Sequence, residues 1–375
     1  MSKAMMLRTP DRVPIMCPIS FGFVLVQNPQ ISPIDLWHNH EASYTEALCN
    51  ISKRFHFDGV RTPHNIVAPL DQSKVGFIDT SSKEKIVNYK NGDSCIFCND
   101  DLPRYKFKLA PERDFDLFDP DSISEKFEFY PVSTRCRLYT REDSLGIESE
   151  IRQARKLIGN EYSVHASVYS PEDYLVDLFG LDGAMMAMLI DPEKCKDILM
   201  RFTKPIIAQL RKHFDDGVDA ICVSAPFTGQ KFISTEMYEQ IIVPMQKIIV
   251  DECKYNNVPC YCHTCGSIDD RLELLVDIGF DGIECLDPPP LGNINLEDAV
   301  KRIGHRAFIK GNIDPVNILL NGSVKQVQED VKKRLEIGMQ AGGGFILGTA
   351  CSVAPHTPPE NMDVLYEMVE KYGYY

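Results

Sequence analysis

One histidine and two cysteines have the types and spacing that could do chemistry: His263 and Cys265 in YCHTCGS, and Cys351 in GTACSVAP. An imidazole and two thiolates suit Zn²⁺, a borderline-soft ion that takes nitrogen and sulfur readily. Three protein ligands leave a fourth tetrahedral position for a substrate, which marks a catalytic zinc, whereas structural zinc usually has four protein ligands. A lone His-x-Cys pair also arises by chance, and the competing reading is a buried histidine beside ordinary core thiols. What favours ligation is the place of the three residues in the elements that must carry them.

Those elements alternate. Short strand-like runs occur at DGVRTP (58–63), YSVHASV (162–168), DAICVS (219–224), PCYCHT (259–264), DGIECL (281–286), AFIKGN (307–312) and GFILGT (344–349). Helical patterns with their own start signals follow. Ser267 with Asp270, Asn295 with Asp298, Ser323 with Gln326, and Thr357-Pro358 with Glu360 each read as the opening of a helix. Ile198, Phe202, Ile206, Leu210 and Phe214 form one apolar stripe four residues apart, read as core packing. Repeated β–helix–β units imply a parallel sheet, and no Gly-rich phosphate fingerprint follows any strand. The predicted fold class is α/β, a (β/α)8 TIM barrel spanning 1–375 as one domain, with seven strands located and one unplaced. The stretch from about 70 to 135 breaks the rhythm with turn signals at SSK and NGD, and is expected as a hairpin-rich insertion over one rim.

Barrel enzymes keep their chemistry at the C-terminal ends of strands. His263, Cys265 and Cys351 all fall there, at strand ends that can face each other across the mouth. Glu284 and Asp287 end the adjacent strand and are candidate catalytic carboxylates, for protonating a leaving oxygen or adding a ligand; capping the next turn is the competing reading. Phe21, Phe23, Tyr169 and Phe227 are candidate walls of a substrate pocket, with core packing as the alternative for each. Ser224 and Asn312, also at strand ends, are candidate substrate contacts, while Asn312 and Asp314 in KGNIDP are expected chiefly to shape a loop through side-chain-to-backbone hydrogen bonds. Cys95-x-x-Cys98 has metal spacing but no second ligand pair, and is read as hairpin packing. His38 and His40 would lie on different faces of a helix, and His356 is expected on the surface.

Composition narrows the function. The formal charge of −14 argues against nucleic acid, whose phosphates need clustered Lys and Arg. Thirteen cysteines in a chain of 375 residues, without an export signal in MSKAMMLRTPDRVPIM, point to reduced thiols and a cytoplasmic protein. Most of them, including Cys222, Cys260 and Cys285, are expected as small buried hydrophobes. No apolar run approaches the roughly 20 residues of a membrane span.

YCHTCGSIDD, GFDGIECLDPPP, IKGNIDP and GGFILGTACSVAPHTPPENM together resemble the uroporphyrinogen decarboxylase superfamily over about residues 218–372. The start, TPDRVPIM, is also similar, and 70–135 is not. Within the superfamily the chain resembles the zinc-dependent, corrinoid-linked methyltransferases. That resemblance implies a barrel fold, zinc on His263, Cys265 and Cys351, and a corrinoid (cobalamin) brought by a separate corrinoid protein. Residues 14–37, where the decarboxylases carry an Arg-x-x-x-Arg stretch, contain no Arg or Lys, and Cys351 stands where those enzymes have a histidine. A polyanionic porphyrinogen would lose its charge-assisted hydrogen bonds there, which argues against decarboxylation. The expected reaction moves a methyl group between a small substrate and the corrinoid, a methyl ether being favoured as in an O-demethylase system. Transfer to a coenzyme M-like thiol, thiol alkylation without a corrinoid, and a non-catalytic corrinoid-protein docking role are the alternatives.

Overall fold

The computed structural model describes residues 1–38, 43–62, 70–108, 113–123 and 149–375. Among them are eleven strands: β1 (Gly59–Arg61), β2 (Val75–Asp79), β3 (Lys85–Tyr89), β4 (Ser94–Phe97), β5 (Arg104–Lys106), β6 (Ser163–Tyr169), β7 (Ala220–Ser224), β8 (Cys260–Thr264), β9 (Gly282–Cys285), β10 (Phe308–Ile313) and β11 (Phe345–Thr349). β1 and β6 to β11 form one parallel sheet in that order, each strand hydrogen-bonded to the next along the chain. These seven are the seven runs predicted from sequence. Helices return between them, among them Pro192–Asp215, Val243–Tyr255, Leu296–Ile303 and Val324–Gly338. Such returns keep neighbours in sequence neighbours in space.

The eighth position belongs to the N-terminal segment 13–19. Met16 N–H donates to Leu347 O at 2.9 Å and Leu347 N–H to Pro14 O at 2.8 Å, while on the other side Asp58 N–H donates to Ile15 O at 2.8 Å. The segment therefore joins β11 to the entry of β1 and closes the ring of seven parallel strands. Its two prolines, Pro14 and Pro18, cannot donate to a ladder, so it pairs only intermittently. A Cβ on Gly348 would lie 2.6 Å from Met16 O, so the glycine is what lets the segment come so near.

Side chains alternate across these strands. In β8, Cys260 and Cys262 join the large core between sheet and helices, while Tyr261 points into the barrel. The barrel floor is Ala220, Cys222, Tyr261, Phe308 and Ile346, with Ala4, Met5 and Met16 packed on it. The stripe on Pro192–Asp215 is core as read: Ile198, Phe202, Ile206 and Leu210 are fully buried, and Phe214 packs at the edge.

Two helix starts differ from the sequence reading. Ser267 caps nothing; Asn293 Oδ1, from the loop after β9, accepts from Ile268 and Asp269 N–H at 3.1 and 3.3 Å instead. The last helix begins at Pro359 with no side-chain cap. Asn295 and the Ser323/Gln326 box do cap their helices.

β2 to β5 form a separate antiparallel sheet within the segment expected to be hairpins; residues 109–112 and 124–135 of that segment lie outside the described residues. Its Val87, Cys95 and Phe97 pack on Ile34 and Trp37. Cys98 bonds Glu84 and Arg104, and is not joined to Cys95 by a metal-like cluster among the described residues. His38 is buried with its ring 6.0 Å from Phe97, His40 lies outside the described residues, and His356 is exposed and bonds Asp100 at 3.0 Å. No described helix is long and apolar enough to cross a membrane.

Candidate metal centre

β8 ends one residue before Cys265, and β11 two before Cys351, so both thiols sit in the first turn beyond a strand, at the barrel mouth. One ligand atom from each of His263, Cys265 and Cys351 lies within 4.8 Å of the other two. Cys265 Sγ is 3.6 Å from His263 Nε2 and 3.8 Å from Cys351 Sγ. Tetrahedral zinc, with its ordinary bond lengths, separates two sulfurs by about 3.7 Å and a sulfur from a nitrogen by about 3.5 Å. The residues present therefore fit the metal. The hydrogen bond with Cys265, then burial, push the Cys351 thiol up to about 12, and Cys265 is also raised, first by a hydrogen bond with Cys285. Two sulfurs so close stay protonated unless a cation holds them as thiolates.

Beneath the cluster lies a buried row of charge set by strand register. His263, Glu284 and Lys310 stand opposite one another on β8, β9 and β10, so their side chains share the barrel interior. Glu284 Oε2 meets His263 Nδ1 at 2.5 Å and Arg61 Nη1 at 2.5 Å; Oε1 is 2.6 Å from Lys310 Nζ. Burial alone would raise the pKa of Glu284, but Arg61, Lys310 and His263 overturn that and hold it well below the usual carboxylate range. Deeper still, Tyr261 OH bonds His165 Nδ1 at 3.0 Å, and His165 Nε2 bonds Ser163 at 2.9 Å. Burial keeps His165 neutral.

Asp287 is placed differently. Cys285 and Leu286 adopt φ of +85° and +52°, turning the chain sharply after β9. That turn brings Asp287 Oδ2 to Gly266 N–H at 2.5 Å, on the loop that carries Cys265. Its Oδ1 is buried with no hydrogen-bond partner among the described residues. Burial raises the carboxyl to about 6, with the Gly266 N–H opposing and the Cys351 thiol adding to it. An orphaned buried oxygen beside the ligand loop is a group able to hold a proton or take a cation.

The remaining sequence-predicted residues divide. Ser224 is the register partner of His263 and shares the mouth, its carbonyl accepting from Ser170 N–H at 2.8 Å. Tyr169 ends β6 with its ring 6.3 Å from Tyr174. Phe227 follows β7 and stacks edge-on to Phe232 at 5.7 Å, and Phe21 packs against Trp37 and Tyr44 at 5.2 and 5.4 Å. Phe23 is not with them: it is fully buried and faces Phe55 in the outer core. Both ends of the Asn312 amide are occupied, Nδ2 donating to Leu286 O at 2.7 Å and Oδ1 accepting from Arg334, and Asp314 accepts from Val316 and Asn317 N–H. Asn312 is fully buried, tying the β9 turn to a helix.

Arg61 and Lys310 were not singled out from sequence, and Cys285 was read only as a small buried hydrophobe. The signal available for the first two was a lone charge inside an otherwise apolar strand. Cys285 Sγ lies 3.3 Å from His263 Nδ1 and 3.6 Å from Nε2, two nearly equal distances that put it over the ring face.

A methylcobamide:CoM methyltransferase MtbA of Methanosarcina acetivorans is 29% identical over 180 residues, 48% of each chain. A uroporphyrinogen decarboxylase of Prochlorococcus marinus is 30% identical over 188 residues, 49% of this chain and 50% of its own. The chain thus spans about half the length of these curated relatives. A solved methyltransferase from Methanosarcina mazei superposes over 99% of this chain and 97% of its own, with a TM-score of 0.69 at 18% identity, which shows a shared fold. The family described as uroporphyrinogen decarboxylase (URO-D) matches residues 146–372, more than half of the sequence, including both strands that lead into His263, Cys265 and Cys351. With six of its seven parallel strands and His263, Cys265 and Cys351 inside that match, the protein belongs to the URO-D family.

Proposed function

We propose that the protein is a zinc-dependent methyltransferase of the corrinoid-linked branch of this family. It would move a methyl group between a small substrate and a corrinoid carried by a partner protein. The observation that carries this reading is the three-ligand cluster of His263, Cys265 and Cys351 at the barrel mouth. Relatives with half-length matches are named methylcobamide:CoM methyltransferases, which supports the reaction class. Zinc held by the three residues would supply Lewis acidity at its open position, for a departing oxygen or an attacking sulfur. Asp287 is the group suited to hold a proton at Oδ1 near that position, and Tyr169, Phe21 and Phe227 would keep water from it.

Two substrates fit this site. A methyl ether suits the absence of Arg and Lys between residues 14 and 37. A thiol suits the relatives' names. The test is methyl transfer with free cobalamin: from methylcobalamin to small thiols, and from methyl aryl ethers to cob(I)alamin. Turnover in one direction, abolished in Cys265→Ala, is the expected result. Absence of transfer in both directions by zinc-loaded protein, or full activity in Cys265→Ala, contradicts the proposal.

A further inference from the structure

We propose that Glu284, clamped between Arg61 and Lys310, is a positioning residue that fixes the ring tautomer of His263 and so presents Nε2 to the metal. The inference rests on the zinc reading above and deepens it. An imidazole ligand must offer one nitrogen bare and carry its proton on the other, and the partner of the second nitrogen decides which. Here that partner is Glu284 Oε2, 2.5 Å from Nδ1, on the side of the ring away from Cys265. A carboxylate only accepts, so Nδ1 must donate, and Nε2, on the side of the two sulfurs, is the nitrogen left for a bound metal. Cys285 does not compete, because it lies over the ring face rather than along the Nδ1–H direction.

The clamp explains how the carboxylate is kept in place. Glu284 is fully buried, and an isolated charge there would be costly. Arg61 shares Oε2 with His263, whereas Lys310 takes the opposite oxygen, Oε1. The two cations therefore have distinct duties, although each contributes one positive charge. Arg61 favours an acceptor atom on the His263 side; Lys310 favours one on the far side.

That asymmetry yields a test in which net buried charge is held constant. With Glu284→Gln and Lys310→Met together, the amide oxygen is drawn to Arg61 and still accepts from Nδ1–H. With Glu284→Gln and Arg61→Met together, the amide oxygen turns to Lys310 and the NH₂ faces Nδ1, which drives the proton to Nε2. Each double variant removes one buried ion pair for neutral groups of similar volume, an exchange folded proteins often tolerate. The readouts are the ¹⁵N chemical shifts of His263 in metal-free protein, taken at a pH high enough for the ring to be neutral, and the zinc affinity from chelator competition. The expected result is an Nδ1–H tautomer and near wild-type zinc binding in the Lys310 double variant. The Arg61 double variant is expected to show the Nε2–H tautomer and binding about 10–100-fold weaker. Equal tautomers and equal affinities in the two variants would overturn the proposal. A wild-type protein that binds no zinc overturns the functional reading instead, and the tautomer comparison still reports on Glu284 by itself.

Discussion

Asn312 sits at a strand end, where barrel enzymes keep substrate contacts, yet its amide is spent on Leu286 O and Arg334. Removing both bonds from a buried site should be costly. Asn312→Ala is expected to lower the unfolding free energy by about 2–3 kcal/mol in urea titrations; an unchanged midpoint with a raised KM would assign it to the substrate instead. At this scale the sequence pointed to three residues that the fold brings together, because His263, Cys265 and Cys351 each close or follow a strand. It did not reveal the clamp. Arg61 and Glu284 are 223 residues apart, and only the register of closed strands brings them together. Nor could residue type tell that Phe21 packs against Trp37 and Tyr44 while Phe23, two positions on, faces Phe55, since that depends on how a short helix meets the core.

The least regular element is the segment 13–19, and it closes the barrel. Its contact with β11 depends on Gly348, where any Cβ would collide with Met16 O. Gly348→Ala is therefore expected to destabilise the fold by about 1–3 kcal/mol, the ordinary cost of overpacking. It should also speed hydrogen exchange at Met16 N–H, which bonds Leu347 O. Unchanged exchange there would mean the segment is not held by β11. This element was invisible to periodicity because Pro14 and Pro18 interrupt any strand pattern, whereas the other seven strands announce themselves as short apolar runs bounded by turns. The Asn293 cap was equally hidden: it reaches back from the loop after β9, so no local spacing encodes it.

For the molecule as a whole, stability should depend on pH through Glu172, which opens the helix Glu172–Ile190 just past β6. Burial raises its carboxyl from 4.5 to about 7, against the opposing hydrogen bond from Ser170. The folded state thus binds the proton more tightly than the unfolded chain. This contribution is present in full below about pH 4.5 and is lost as pH rises through about 7. Glu172→Gln should remove up to about 3 kcal/mol of that pH dependence, so that its stability relative to wild type improves between pH 5 and pH 8. Denaturant midpoints at the two pH values measure it, and parallel profiles would contradict the assignment. The barrel and its hairpin insertion were legible from alternation and turn chemistry, but a corrinoid partner leaves no mark in residue spacing, and rests on family likeness. The central claim is nearer to hand: metal content of the purified protein and of His263→Ala, Cys265→Ala and Cys351→Ala. About one zinc per chain, lost or greatly weakened in each variant, is the predicted result. A wild-type chain without zinc, or zinc retained by all three variants, would contradict the account.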